Sequence, residues 1–334
     1  MFNMFNSGNT LVKLCSRLRG LPRDMRWYFG SGRSHLKSAR GARILLYHGI
    51  CPHEPFRYNT LFVTLKTFEL QLRLYKKYFN LVSLDDLYEQ RISDKRFNIC
   101  LTFDDGFMNN YKYVLPILEK YQVPAAFFVT GIRDAGYEIL WNDVLCAAYK
   151  HGPEKFRLGN EEFIKGKDSK YVSALTGEKL VDTLRLAEFE DKSDMIKLLS
   201  PFRQKADEDY WMQMTAGEIR QLASSKWVTI GSHSYYHNDL AKIPVDELRK
   251  DLNRSKLFLE DVTGKKIKAL AFPYGSYSKV VLNEAKNAGY SQLLATEFLF
   301  ADDPGDDALR ERLTINPFIS TINQLHANIT GNYK

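Results

Sequence analysis

The chain has 334 residues, 44% of them hydrophobic, 13% aromatic and 26% charged, the balance of a globular protein able to bury a full-sized core. Its net charge of +7 is unevenly spread: residues 1–43 hold nine Lys or Arg against the single acid Asp24, a local +8 that leaves the remainder at −1. A basic leader ahead of a near-neutral body removes the electrostatic case for nucleic-acid binding by the main domain. No apolar run approaches the roughly 20 residues that cross a bilayer, and no cleavable secretory signal is visible.

Within the leader, Leu11, Leu14, Leu18 and Leu21 fall at helical spacing among Lys13, Arg17 and Arg19. Residues 10–27 therefore suit contact with an anionic membrane surface, the alternative being a helix packed on its own domain or a frayed basic tail. Cys15, Cys51, Cys100 and Cys146 form no CxxC pair and read as reduced thiols. The expected location is the cytoplasm or the cytoplasmic face of the inner membrane.

From Arg43 onward, strand and helix alternate. Ile44–Tyr47 reads as a buried strand entering a loop at His48-Gly49, and Thr67–Tyr78 as a helix with Thr67 at its N-cap. Asn98–Phe103 is a second strand, stopped by Asp104-Asp105-Gly106, and a helix follows over Asn109–Tyr121. Ala125–Thr130, Trp227–Ile230 and Ala269–Phe272 are further apolar strands, with helices over Val245–Thr263 and Lys279–Ala288 closed by Gly264 and Gly289. Such alternation predicts a parallel sheet covered by helices, and an α/β barrel fits the length. Residues 131–215, rich in Lys, Glu and Asp, read as a mostly helical insertion capping one end of a main domain over 44–320, with a polar tail at 321–334.

Polar residues gather where the strands stop: His48, Asp104, Asp105, His233, His237 and Tyr274. In a parallel barrel these loops converge on one mouth. Adjacent carboxylates point in different directions, so one can bind a cation while the other faces a water, although Asp before a helix is also an ordinary N-cap. His233 and His237, four apart, would share one side of a helical turn. Two His and one Asp make a facial set that leaves positions open for water and substrate.

Taken together, Thr102-Phe103-Asp104-Asp105-Gly106, His233-Ser234-Tyr235-Tyr236-His237 and Phe272-Pro273-Tyr274-Gly275 resemble the ordered motifs of the polysaccharide deacetylase family, which includes chitin-oligosaccharide, peptidoglycan and exopolysaccharide N-deacetylases. The similarity runs from about Arg43 to Phe318, with the insertion outside it. It implies a distorted (β/α)7 barrel and a divalent ion, Zn²⁺ first and Co²⁺, Ni²⁺ or Mn²⁺ after it. Carried across, Asp105, His233 and His237 would be ligands, Asp104 the general base, and the backbone N–H of Tyr274 an oxyanion donor. The acid would be His48, because Leu45-Leu46-Tyr47-His48-Gly49 is similar to the first-strand motif of exopolysaccharide deacetylases, whereas His326 sits in a polar tail. Ala271 stands where the family often has an Arg that orients the base, and Arg312 is the replacement expected from elsewhere in the chain. The Asp and Trp that usually support the acid are not recognisable near Gly289–Thr296.

The implied function is metal-dependent removal of acetyl groups from N-acetylated amino sugars in a polysaccharide, oligosaccharide or lipid-linked glycan. Deformylation or O-deacetylation of a lipid-linked sugar, and non-catalytic carbohydrate binding, are the alternatives.

Overall fold

In the computed structural model the described residues are 21–25, 27, 33–205 and 210–333. Seven parallel strands form the centre: β1 Ala42–Tyr47, β2 Asn98–Phe103, β3 Ala125–Val129, β4 Val228–Ser232, β5 Ala269–Ala271, β6 Gln292–Ala295 and β7 Leu309–Thr314. Their hydrogen-bonded order is β1-β7-β6-β5-β4-β3-β2, and β2 pairs again with β1 from Asn98 opposite Ala42 to Phe103 opposite Tyr47, so the sheet closes on itself. The expected (β/α)7 barrel is present. A two-residue strand, Asn80–Leu81, adds to the start of β2 from outside the ring.

Every residue of β2 and β3 is buried, which follows from a barrel filled inside and wrapped by helices outside. Alternation along the strands sorts the two faces. Leu45, Tyr47, Leu101, Phe103, Phe127 and Leu293 join the helices in the outer core. Ile44, Cys100, Ala126, Phe128, Ala269, Ala271 and Leu294 fill the interior, plugged at one end by the helix Leu84–Tyr88. Because side chains repeat every second residue, the interior stripes run on to Leu46 and His48, Thr102 and Asp104, His233, and Thr296. Arg312 and Thr314 continue the same face of β7. The polar residues at the mouth are thus the last members of apolar interior stripes.

Local boundaries differ from the sequence expectations in instructive ways. The helix cap is Thr64, whose hydroxyl accepts from the Thr67 N–H at 3.1 Å, so the helix begins at Leu65. The segment after Asn109 opens as a wide π turn, Asn110–Val114, before the α-helix Leu115–Tyr121. Pro116 has no N–H to give to the normal α ladder, and Leu115 N–H reaches back to Asn110 instead. β6 had no sequence counterpart. Among its described residues the insertion holds three α-helices, Trp141–His151, Leu180–Leu186 and Phe189–Leu199, but also a three-stranded antiparallel sheet of Lys155–Leu158, Glu161–Lys165 and Tyr171–Ser173. It has its own apolar core, centred on Trp141, Leu145, Phe163, Tyr171 and Trp211.

The predicted polar tail is instead a helix, Thr321–Thr330, capped by the Ser320 hydroxyl and ended by Gly331 at φ +77°. Leu325 and Ala327 bury into the outer core, which a polar composition concealed. The described part of the leader docks on this helix: the Asp24 carboxylate accepts from Ser320 at 2.6 Å and Asn323 at 3.0 Å, and Leu36 is fully buried. Most of the proposed membrane-contact stretch, residues 10–27, lies outside the described residues. Among the described residues no helix is long and apolar enough to cross a membrane.

Candidate metal and catalytic site

Asp104, Asp105 and Gly106 follow β2 directly, and His233 follows β4, so closure of the barrel brings 105 and 233 together across 128 positions of sequence. Asp105 Oδ1 lies 3.3 Å from His233 Nε2 and 3.3 Å from His237 Nε2, and all three side chains are buried. The other imidazole nitrogens are occupied. His233 Nδ1 sits 2.8 Å from the Ala271 carbonyl, which can only accept, so Nδ1 carries the proton and Nε2 presents a lone pair. His237 Nδ1 lies 3.1 Å from the Tyr274 hydroxyl. Three buried donors facing one point, each imidazole oriented through its far nitrogen, is the chemistry of a divalent-ion site.

The His-x-x-x-His segment is not the helical turn its spacing suggested. Ser234 and His237 have φ of +67° and +55°, and the loop is pinned by Asp251 on the helix Val245–Thr263. That buried carboxylate accepts from the N–H groups of Tyr235 (2.7 Å) and Tyr236 (3.2 Å) and from the Ser234 hydroxyl (3.1 Å). Burial pushes the Asp251 pKa up, and those donors oppose the shift. Asp251 was missed in the sequence. The signal was present: it falls with Leu248, Leu252, Ser255, Leu259 and Val262 on the buried face of an amphipathic helix, where an acid needs a partner.

Asp104 meets Arg312 in a two-pronged pair, Nη1 to Oδ1 at 2.6 Å and Nη2 to Oδ2 at 2.8 Å, with both side chains buried. Burial alone would raise the Asp104 pKa, but Arg312 and His233 outweigh it and hold the carboxyl below its usual range. Ala271 brings no guanidinium from β5, and the one that reaches Asp104 is Arg312, on β7. Tyr274 stands in a tight turn at φ +61°, ψ +4°, followed by Gly275 at φ +65°. A Cβ at Gly275 would fall 2.0 Å from Thr296 Oγ1, so the turn accepts no larger residue. Among the described residues, eight other than glycine have positive φ, and Asp105, Ser234, His237 and Tyr274 are half of them. Backbone strain of about 1–3 kcal/mol per residue is concentrated at this mouth.

His48 follows β1 and is 9% exposed, with Nδ1 buried and unpartnered among the described residues. Burial lowers its pKa from 6.5, against the pull of Asp105 and Asp104. His48, Asp104, Asp105, His233, His237, Tyr274 and Arg312 all line one cavity of ≈ 220 Å³. His326 does not: it lies on the C-terminal helix, its ring stacked 5.8 Å from that of His35. Among the described residues, Cys51, Cys100 and Cys146 form no disulfide.

The polysaccharide deacetylase family model matches residues 92–156 and 204–293, which takes in both ends of the insertion and leaves 157–203 outside. The fold is similar to that of the Streptococcus pyogenes deacetylase PplD in complex with acetate, at 18% identity and TM-score 0.53 over 86% of this chain and 97% of that one. It is likewise similar to IcaB from Ammonifex degensii, at 18% identity and TM-score 0.54 over 87% and 97% of the two chains. A de-N-acetylase from Aggregatibacter actinomycetemcomitans matches at 17% identity and TM-score 0.51 over 83% and 95%. A comparison with curated protein sequences finds no match. With the three motifs gathered at one mouth of a closed seven-stranded barrel and the family model matching across all three, the chain carries a polysaccharide deacetylase domain.

Proposed function

We propose that this protein is a metal-dependent N-deacetylase of an acetylated amino sugar within a glycan. The observation that carries the reading is the buried Asp105-His233-His237 donor set beside an Arg312-paired Asp104. Asp105, His233 and His237 would hold the ion, with Zn²⁺ the first expectation for two imidazoles and one carboxylate. A divalent ion bound there would polarise the amide carbonyl and acidify a water.

The rest falls to the chain's own groups. Asp104, kept ionised by Arg312, takes the proton from the attacking water. The Tyr274 backbone N–H supplies a hydrogen bond to the developing oxyanion. His48, when charged, donates its proton to the departing nitrogen, and its lowered pKa makes it a ready donor at the cost of a smaller charged fraction near neutral pH. Tyr274, raised far above the ordinary phenol range by burial and by Asp105, stays neutral and keeps its hydroxyl for His237. Acetate and a free amino sugar leave.

The test is release of acetate and primary amine from N-acetylated oligosaccharides by Zn²⁺-loaded protein, with activity lost on chelation and restored by metal. Formate release from N-formyl sugars without any acetate release would overturn the acetyl assignment in favour of deformylation. Saccharide binding without release of either acid would leave a carbohydrate-binding protein.

A further inference from the structure

The insertion does more than cover the barrel. Its first helix, Trp141–His151, sets the side chains of Asn142 and Asp143 into the wall of the cavity that holds the catalytic groups. Asp143 is 1% exposed, and its Oδ2 has no hydrogen-bond partner among the described residues. Asn142 Oδ1 is also buried and unpartnered. A buried acceptor left without a donor costs about 1–3 kcal/mol, so two on adjacent residues facing one cavity require an explanation.

Two ordinary explanations fall short. Asp143 stands outside the close donor cluster, which among the described residues is Asp105, His233 and His237. An acid in the first turn of a helix does complement the helix dipole. That effect needs only exposed charge near the helix end, and it accounts for neither the burial nor the neighbouring Asn142 oxygen. Arg312, His48 and the two imidazoles line the same cavity and are assigned above to the reacting amide. Asn142 and Asp143 each bring an oxygen that lacks a donor, Asp143 keeping a carbonyl acceptor even though burial and Asp105 raise its pKa, and a sugar ring surrounds its acetamido group with hydroxyl donors.

We infer that Asn142 and Asp143 are specificity-determining residues that accept hydrogen bonds from hydroxyl groups of the sugar ring carrying the scissile acetamido group. This rests on the N-deacetylase reading above for the identity of the ring, but its test is separable.

Zn²⁺-loaded wild type, Asp143→Ala, Asp143→Asn and Asn142→Ala are compared on N-acetylglucosamine and N-acetylgalactosamine oligosaccharides. kcat and KM are read from acetate release, and binding from saturation-transfer NMR, with metal content and Tm recorded for each. The expected result is a KM for Asp143→Ala raised about tenfold or more with metal content retained, a smaller rise for Asn142→Ala, and partial recovery in Asp143→Asn, which keeps one acceptor oxygen. Deoxy analogues of the better substrate sharpen the reading: the analogue lacking the recognised hydroxyl loses affinity for wild type and loses no more on Asp143→Ala. A lowered Tm with KM and binding unchanged would reduce Asp143 to a helix-end role and overturn the inference. Binding that depends on Asp143 without acetate release would sink the deacetylase reading and leave the recognition wall standing. No binding of any of these sugars by wild type would overturn both.

Discussion

Asp104 and Asp105 are chemically identical neighbours whose surroundings give them separate work. Asp105 faces two imidazole nitrogens at 3.3 Å, whereas both oxygens of Asp104 are taken by one guanidinium. Asp105→Ala is therefore expected to lose bound metal and turnover together. Asp104→Asn should keep stoichiometric metal while kcat falls about 10²- to 10⁴-fold, the usual worth of a positioned base. Metal analysis beside steady-state kinetics separates the two, and near-normal turnover of Asp104→Asn would remove it as the base. Arg312 acts through Asp104. Its replacement by Lys keeps a charge but not the planar fork, so kcat should drop with KM little changed, while Arg312→Ala strands a buried carboxylate and should destabilise the fold by about 3 kcal/mol in urea unfolding.

At the scale of elements, the loops at the mouth are held by acids that the strands and helices bury. Asp303, in the turn before β7, is fully buried and receives Lys279, the Tyr277 hydroxyl and the N–H groups of Leu299 and Phe300. Burial works against its charge, but these donors outweigh it and hold the pKa at about 2, from 3.8. A carboxyl depressed in the folded state contributes stability that is complete above the unfolded pKa and is lost as pH falls from about 4 to 2. Asp303→Asn should flatten that limb of a Tm-against-pH profile. Inside the ring, Gly231 of β4 makes room for Phe128 of β3, because a Cβ there would fall 2.5 Å from the Phe128 ring and 3.1 Å from the Ala269 carbonyl. Gly231→Ala is expected to cost about 1–3 kcal/mol by denaturant titration, with loss of catalytic rate because His233 lies two residues on.

For the whole molecule, an ion held by the proposed donor set would cross-link the ends of β2 and β4 and the loop after β4. An ion that binds only the folded chain stabilises it by about 2.7 kcal/mol at a hundred times its Kd. Dialysis against a chelator should accordingly lower Tm by several degrees, reversibly, and Asp105→Ala should abolish the difference between metal-loaded and stripped protein. Equal Tm in both states for wild type would argue against the proposed donor set.

Much of this could be seen in the one-dimensional pattern. Asn98–Phe103 and Val245–Thr263 matched to the residue because an uninterrupted apolar run and a long amphipathic repeat are local properties, ended by an Asp-Asp-Gly turn and a left-handed Gly264. Asp105, His233 and His237 stood out as polar residues after apolar strands and through the resemblance of their motifs, and the structure brings their side chains together. Less local features were not. β6 is only four residues, and the C-terminal helix is amphipathic with a polar majority, so neither stands out until its partners are in place. Residue identities and strand order along the chain determined that a closed parallel barrel would carry polar residues at one mouth. Only tertiary structure decided that Arg312, 208 positions from Asp104, reaches it in a bidentate pair, that Asp251 pins the His loop, and that Asp143 of the insertion joins the cavity. The first two pair buried polar groups across strands or layers, the third buries an acid beside the barrel mouth, and such burial is fixed by tertiary packing rather than by any run of neighbouring residues.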